Sequence, residues 1–351
     1  MRRRISKNSL PASSVLADLN KQDVSFMRVA LSLAHRGLGS VWPNPAVGCV
    51  IVAERAGAPV VVGRGWTQPG GRPHAETVAL SQAGNLAKGA TAYVTLEPCC
   101  HHGKSPPCTE ALIEAGITRV VAAMEDPDSR VSGKGNALLK EAGIDVKVGL
   151  CRGEAERVNE GFISRVNQNR PMITLKTATT LDSRIATVRG ESHWITGPNA
   201  RARVHLMRAS HDAVLVGIGT ALADNPSLTV RLPGLEAASP VRIVVDTRLQ
   251  LPLTANLVTT VADVPTWLLT VKGGDVAKQQ AYRDCGVEII TIPPDRAGYP
   301  DIHVAMQALA SKGITRLLVE GGADIAATFL RTCLVDRIAW FRAPSIMGGD
   351  G

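Results

Sequence analysis

The chain has 351 residues, too many for one ordinary hydrophobic core and enough for two domains of roughly 150 to 200 residues each. Apolar residues make up 45% and charged residues 20%, the balance of a folded globular protein, and no apolar run reaches the roughly 18 residues a membrane span needs. The net charge is +8, but Arg2, Arg3, Arg4 and Lys7 supply four positive charges in one acid-free stretch. The remaining excess suits phosphorylated small molecules, and the dense basic stripe with interleaved aromatics of a nucleic-acid binder is missing.

In chain order, residues 1 to 22 read as an Arg- and Ser-rich disordered tail without a signal-peptide core, with an organelle transit peptide as the second reading. Ala46 to Ala53 predicts a buried strand and Pro59 to Trp66 its antiparallel partner. His74 to Leu86 reads as helix, Thr91 to Leu96 as strand, Cys108 to Ala115 as helix and Arg119 to Met124 as strand. Gly135 to Ala142 and Asp145 to Leu150 repeat helix and strand, and Glu154 to Gln168 reads as one helix ended by Asn169-Arg170-Pro171. A domain boundary there gives a first domain over 23–169 and a second over 170–351. The second shows strands at Ile173 to Ala178, Ala213 to Val216, Arg242 to Val245, Thr266 to Val271, Glu288 to Ile292, Arg316 to Val319 and Asp336 to Phe341. Its predicted helices are Asn199 to Arg208, Ile302 to Ala310 and Ala323 to Cys333. Regular alternation of this kind signals layered α/β domains.

Seven cysteines, an odd count in a long chain, argue against a disulfide scaffold. Three of them cluster in EPCCHHGKSPPC, Glu97 to Cys108, downstream of GRPHAETVAL. Cys99 follows a strand and Cys108 opens a helix, where a thiol is more readily ionised. His74, Cys99 and Cys108 supply one imidazole and two thiolates, a three-ligand zinc site with a fourth position left for water. Zinc brings the pKa of a water there to roughly 7. Glu76 stands close enough to take the water's proton and deliver it to a leaving amine. Cys100 reads as a bystander, and His101 and His102 as possible substrate contacts; a closed structural zinc site using one of these three as fourth ligand is the bland alternative. Zinc base deaminases combine H-x-E with P-C-x-x-C. His74-Ala75-Glu76 fits the first half, but eight residues separate Cys99 from Cys108. The pattern therefore fits a deaminase with an enlarged loop better than a nucleic-acid deaminase.

These stretches resemble the bifunctional riboflavin-biosynthesis deaminase/reductase family. The first half matches through PNPAVGCVIV (Pro43 to Val52), GRPHAETVAL and AYVTLEPCCHHGKSPPCTEALIEAGI (Ala92 to Ile117). The second matches through LKTATTLDSRIAT, GESHWITG, LADNPSLTVR and VEGGADIAATFL. The resemblance implies a cytidine-deaminase-like three-layer α/β/α domain followed by a dihydrofolate-reductase-like α/β domain. It implies zinc-dependent deamination of a diaminopyrimidinone carrying a ribosylamino 5'-phosphate, then NADPH-dependent reduction of the ribosyl to a ribityl chain. Zinc falls to His74, Cys99 and Cys108, proton transfer to Glu76, and the pyrimidine to Asn44, for which a plain turn role is the alternative. A cytoplasmic homo-oligomer is the family-level expectation, with neither nucleic acid nor membrane as partner.

In the second half, Gly217 to Gly219 begins like a dinucleotide fingerprint but has Leu222 at the third glycine position. Glu320-Gly321-Gly322, between a strand and an Ala-rich helix, is the better phosphate cradle, with a simple strand turn as the alternative. The resemblance sets Gly322, Ala323, Asp324, Ile325, Ala326, Ala327 and Thr328 against the cofactor's phosphates, together with cofactor contacts at Ala178, Trp194, Thr220, Asp224 and Thr247. It sets Ser192, Arg208, Leu228, Arg231 and Glu320 against substrate. Two arginines suit a 5'-phosphate, because guanidinium forks fit its oxygens. Lys176 is placed to bond the ribose or donate a proton, or to pair with Asp182. Two departures from the family stand out. Ser183 replaces its usual Gly, and relatives continue past Met347 to Gly351, so the second domain is expected to lack a closing strand. The alternatives to this reading are a zinc nucleic-acid base deaminase and a zinc-stabilised scaffold without catalysis.

Overall fold

A computed structural model describes residues 21–102, 106–129, 131–189 and 195–351. The chain divides into two units, Met1–Gly37 with Asn44–Glu160, and Leu38–Pro43 with Gly161–Gly351. The predicted tail lies almost wholly outside the described residues.

In the first unit α1 (Lys21–Ala34), β1 (Gly48–Arg55), β2 (Ala58–Trp66), α2 (Ala75–Ala83), β3 (Thr91–Val94) and α3 (Cys108–Glu114) follow in order. They are joined by β4 (Arg119–Ala122), α4 (Lys134–Glu141), β5 (Asp145–Val148) and α5 (Arg152–Val158). The sheet order is β2-β1-β3-β4-β5. β1 runs antiparallel to β2 and β3, whereas β3, β4 and β5 are parallel. Helix α1 was not anticipated from the sequence. It buries Met27, Ala30, Leu31 and Ala34, and its Asp23 carboxylate accepts from Tyr93 Oη at 2.6 Å and Arg119 Nη1 at 2.8 Å.

Glycines decide how close the helices come. A Cβ on Gly48 would stand 1.9 Å from the Ala30 carbonyl of α1. On β2, Gly63 and Gly65 would collide with α2, at 2.2 Å from the Ala79 oxygen and 2.1 Å from the Ala75 oxygen. So α2 lies directly on strand backbone, and His74 at its N-cap is carried to the end of the sheet.

The predicted single helix over 154–168 is two. α5 ends at Val158, and α6 (Glu160–Gln168) begins after Asn159. The buried Asn159 amide makes a two-way bond with the Ala46 backbone, accepting from its N–H at 2.9 Å and donating to its carbonyl at 3.1 Å. That tertiary bond interrupts a run whose helical propensity continues across it.

The second unit continues through β6 (Met172–Thr179), α7 (Pro198–Ala209), β7 (Ala213–Gly217), α8 (Ile218–Asp224), β8 (Val241–Val245), α9 (Asn256–Thr259) and β9 (Thr266–Val271). α10 (Val276–Asp284), β10 (Glu288–Ile292), α11 (Ile302–Ser311), β11 (Arg316–Glu320), α12 (Ala323–Arg331) and β12 (Arg337–Arg342) complete it. All seven predicted strands are present, ordered β10-β9-β8-β7-β11-β6-β12, and every pair is parallel. Helices α8, α9 and α10 were not predicted. They are short or lack a strong apolar stripe; α10 depends on the Asp275 cap, which accepts from Lys278 N at 3.0 Å.

Strand order fixes where this sheet can bind a ligand. β7 leads through α8 to β8 on one side, and β11 leads through α12 to β12 on the other. The crevice at the carboxyl ends of β7 and β11 is therefore a topological switch point, the usual ligand position in open parallel sheets. In the turn after β6, Ser183 takes φ 65°, the left-handed region that glycine occupies readily, so the turn keeps a glycine-like backbone.

Two consequences are measurable. Gly65→Ala should cost about 2 kcal/mol by overpacking, lowering the denaturant midpoint of the first unit and, through the shift of Ala75, its zinc content. His211 is buried neutral, donating Nδ1–H to the Met207 carbonyl at 2.7 Å and accepting from Thr174 Oγ1 at 3.0 Å. Burial first, and then the Arg316 charge, hold it down at about 3, below its ordinary 6.5. An unfolded histidine thus takes up a proton that the folded one refuses, so stability is lost as pH falls through that interval. The stability advantage of wild type over His211→Gln should shrink as pH is lowered from 6.5 toward 3, read from unfolding midpoints.

Candidate functional site

In the first unit, three segments bring the predicted ligands together. His74 is the N-cap of α2, Cys99 lies in the loop after β3, and Cys108 is the first residue of α3. His74 Nδ1 stands 3.3 Å from Cys108 Sγ and 3.5 Å from Cys99 Sγ, and the three ligand atoms lie within 4.8 Å of one another. A tetrahedral zinc with Zn–S near 2.3 Å and Zn–N near 2.0 Å requires N···S separations of about 3.5 Å. The donor set and spacing therefore fit zinc. Among the described residues this is the one such group of His, Cys, Asp and Glu side chains; Cys100, His101 and His102 are not in it. His102 instead pairs with Glu110 at 2.9 Å.

The Cys99 loop is held from behind by Glu97, which the sequence did not single out. Its buried carboxylate accepts from the backbone N–H groups of Asp126, Gly133 and Asn136 at 3.1, 2.9 and 3.1 Å. Gly135 closes the same contact, since a Cβ there would be 2.1 Å from the Pro98 carbonyl. The Cys108 N–H donates to Cys99 Sγ at 3.3 Å.

Glu76 is only 4% exposed. Burial pushes its carboxyl up to about 7, with the Cys99 charge adding to the effect. The Cys99 thiol is drawn down to about 4, first by the hydrogen bond from Cys108 and then by His74. Cys108 is held above the usual thiol range by that same bond, by burial and by Glu76. Four ionisable groups thus compete for few protons, a site whose charge a divalent cation balances by taking both sulfurs as thiolates. Asn44 packs on the segment before α2, donating Nδ2–H to the Gly71 carbonyl at 3.3 Å. Gly71, at φ 83°, has no room for a Cβ, which would fall 1.7 Å from Asn44 Nδ2.

In the second unit, the predicted residues gather at the switch point in part. Glu320 ends β11 beside Lys176 of β6, and Ala178 lies two residues further along β6. Gly321 and Gly322 have φ 87° and 69°, and a Cβ on either would stand 3.0 or 3.1 Å from the Thr220 side chain of α8. A Cβ on Gly217 would lie 2.6 Å from Ile325. The glycine run at 217–219 and the one at 321–322 therefore face each other across the crevice. No side chain caps α12, so its start offers backbone N–H groups to a phosphate. This cradle, which side chains would fill, fits the pyrophosphate of a dinucleotide.

Other predicted residues have different surroundings. Arg208 is committed to Glu320, with Nε–Oε1 at 2.7 Å and Nη2–Oε2 at 2.9 Å, and Nη1 donates to the Thr229 carbonyl at 3.0 Å. Its fork is therefore engaged, and Arg231, exposed on the surface, is the arginine left open. The Leu228 side chain is 3% exposed and packs in the core, which leaves its backbone for any ligand. Thr247 follows β8, and its carbonyl accepts from Thr270 Oγ1 at 3.2 Å. Asp224 closes α8 on its exposed end. Of the run after Gly322, Ala323 and Asp324 are exposed, Ile325 and Ala326 pack on the core, Ala327 is half-buried, and Thr328 bonds back to the Asp324 carbonyl at 2.8 Å. Asp182 pairs not with Lys176 but with Thr180 Oγ1 at 2.5 Å and the N–H groups of Met347 and Gly348. Ser192 and Trp194 lie outside the described residues.

Comparison with known proteins agrees with both halves. Residues 20–124 match the cytidine and deoxycytidylate deaminase zinc-binding region, and residues 171–351 match the RibD C-terminal domain. The chain is 44% identical to riboflavin biosynthesis protein RibD of Bacillus amyloliquefaciens, over 92% of this chain and 85% of that one. It is 42% identical to RibD of Escherichia coli strain K12, over 94% and 89%. A solved structure of Acinetobacter baumannii RibD superposes with a TM-score of 0.83 at 39% identity, covering 94% of this chain and 89% of that one. The Thermotoga maritima diaminohydroxyphosphoribosylaminopyrimidine deaminase/5-amino-6-(5-phosphoribosylamino)uracil reductase gives a TM-score of 0.80 at 36% identity, covering 93% and 88%.

If the three convergent atoms are the ligands, Cys108→Ser should reduce stoichiometric zinc to a small fraction, whereas Cys100→Ser should leave it unchanged; metal analysis of the purified variants reads the difference. With a zinc-type deaminase half, a RibD-type reductase half and relatives matched along nearly the whole length, the chain belongs to the RibD family, the bifunctional deaminase/reductases of riboflavin biosynthesis.

Proposed function

We propose that the first unit deaminates a diaminopyrimidinone bearing a ribosylamino 5'-phosphate and that the second reduces the ribosyl of the product to a ribityl chain. The single observation that carries the first step is the convergence of His74, Cys99 and Cys108 beside the buried Glu76. His74, Cys99 and Cys108 would hold zinc, which when bound supplies the Lewis acidity that makes water nucleophilic at neutral pH. Glu76 takes a proton from the water that adds to the amino-bearing ring carbon. It then delivers that proton to the amine, the C–N bond breaks and ammonia leaves. Asn44, braced on Gly71, offers its amide to the pyrimidine edge.

For the second step, NADPH supplies the hydride. Gly321, Gly322 and the start of α12 accept its phosphates, aided by Thr220. Thr247, Asp224, Ala178 and Trp194 remain assigned to the same cofactor by family motif. Lys176 of β6 stands in register with Glu320 at the end of β11, and Arg208 holds Glu320 in place. Arg231 is then the guanidinium assigned to the 5'-phosphate, with the Leu228 backbone and Ser192 as further substrate contacts. A cytoplasmic location goes with the same reading, since thiolate ligands such as Cys99 and Cys108 persist in a reducing compartment. Exposed Ile338 and Trp340 on the edge strand β12 support a homo-oligomer.

Glu76→Gln should keep its zinc and lose ammonia release by about 10²-fold or more, the usual contribution of a positioned acid/base. Unchanged ammonia release with zinc retained would remove Glu76 from the proton path. The same variant, given the deaminated substrate, should still oxidise NADPH at the wild-type rate, followed at the nicotinamide absorbance band.

A further inference from the structure

Arg242 is the second residue of β8 and is 0% exposed. A buried guanidinium normally pairs with a carboxylate, because its desolvation is costly. Here the bonded partners are four main-chain carbonyls and one hydroxyl. Nη1 donates to the Ser227 carbonyl at 3.3 Å and Thr260 Oγ1 at 2.7 Å. Nη2 donates to the carbonyls of Leu257 at 3.3 Å, Thr260 at 3.1 Å and Val264 at 2.5 Å. Burial draws the Arg242 guanidinium down to about 10, and the nearby Asp263 charge opposes this. One planar fork thus joins the end of α9 to the loop after α8.

That loop, 225–231, is strained. Asn225 has φ 39° and Leu228 φ 53°, both in the left-handed region. For a leucine this conformation is sterically unfavourable and persists only where the surroundings over-determine it. The surroundings do so here. Asn256, at the start of α9, donates its backbone N–H to Asn225 Oδ1 at 2.9 Å and its side-chain amide to the Asn225 carbonyl at 2.8 Å. The Ser227 carbonyl goes to Arg242, the Thr229 carbonyl to Arg208, and the Val230 N–H to Ser239 Oγ at 3.0 Å. His205 Nδ1 lies 3.1 Å from the Thr229 carbonyl and 3.3 Å from the Arg231 nitrogen. A segment of seven residues is therefore tied at five of them.

We infer that Arg242, with Asn256, is a positioning residue of the reductase: it fixes the strained 225–231 loop and so sets where Arg231 and the Leu228 backbone meet the substrate. This rests on the assignment of that loop to the substrate. A lysine or an apolar residue at 242 could not span α9 and Ser227 together, because only the guanidinium fork carries enough donors in fixed directions.

The test uses the full-length zinc-loaded enzyme, the deaminated product of its own first reaction, and NADPH. Arg242→Met should raise the reductase KM for that substrate about tenfold, the size of one misplaced charge-assisted contact, with a smaller change in kcat. Ammonia release by the first unit should be unchanged. A lowered melting temperature with KM unaltered would make Arg242 purely structural and overturn the inference. Should Arg242→Met not fold, Asn256→Ala removes an anchoring bond from the other end of α9 and should move KM in the same direction; no change there overturns it equally. Arg231→Met separates the two levels of the argument. If it leaves KM alone, the substrate assignment of the loop fails, and the inference with it. If it raises KM, the Arg242→Met/Arg231→Met double variant should be little worse than Arg231→Met alone. Fully additive effects would show that Arg242 does not act through Arg231.

Discussion

The deaminase half depends on one close approach, that of α2 to the backbone of β2 at Gly63 and Gly65. With no Cβ on either residue, the helix sits on the strand itself, and its first turn is delivered to the level where Cys99 and Cys108 emerge. His74 at the N-cap and Glu76 two residues on are then fixed by main-chain packing and need no flexible side chain to reach the thiols. The thiols are fixed in the same manner. Glu97 gathers three N–H groups from the loop and helix beyond β4, and Gly135 lets that backbone press against Pro98. Each side of the metal site is therefore set by backbone, which is what a site with tight distance tolerance requires.

The reductase half reaches the same end by a different device. Its sheet is entirely parallel, so the active ends of the strands share one edge, and the switch between β7 and β11 opens the crevice. Two glycine pairs line it. Beside the crevice, a short loop is held in an unfavourable backbone conformation by bonds from α7, β8 and α9. Strain of this sort accompanies function because it allows a side chain to be aimed where relaxed backbone would not put it. The Arg208–Glu320 pair adds to the rigidity: two residues each suited to substrate contact are locked to each other, so the carboxylate presents one fixed face.

The two halves also differ in how charge is handled. The metal site concentrates thiols, an imidazole and a buried carboxyl within a few ångströms, a collection stable only if a cation balances it. The second unit buries Arg242 and spreads its charge over carbonyl dipoles and a hydroxyl, with Asp263 as the nearby acid. In the first case the polar groups await a ligand, and in the second they serve the fold.

Sequence alone determined the alternation of strands and helices and the seven strands of the second sheet, and it singled out His74, Cys99 and Cys108, whose ligand atoms the fold brings within 4.8 Å of one another, with Glu76 two residues from His74. Those are local matters. Strand pattern follows from apolar periodicity, and the ligand set follows from residue chemistry that has few other uses at that spacing. Tertiary structure alone decided the rest. It broke 154–168 at Asn159, whose amide found the Ala46 backbone. It placed α1 and α10, whose stability comes from packing or a cap more than from an apolar stripe. It joined Arg208 to Glu320, buried the Leu228 side chain, and set the Arg242 guanidinium among distant carbonyls. Such facts depend on which distant carbonyl or carboxylate lies within 3 Å, and no linear pattern of residues encodes that distance.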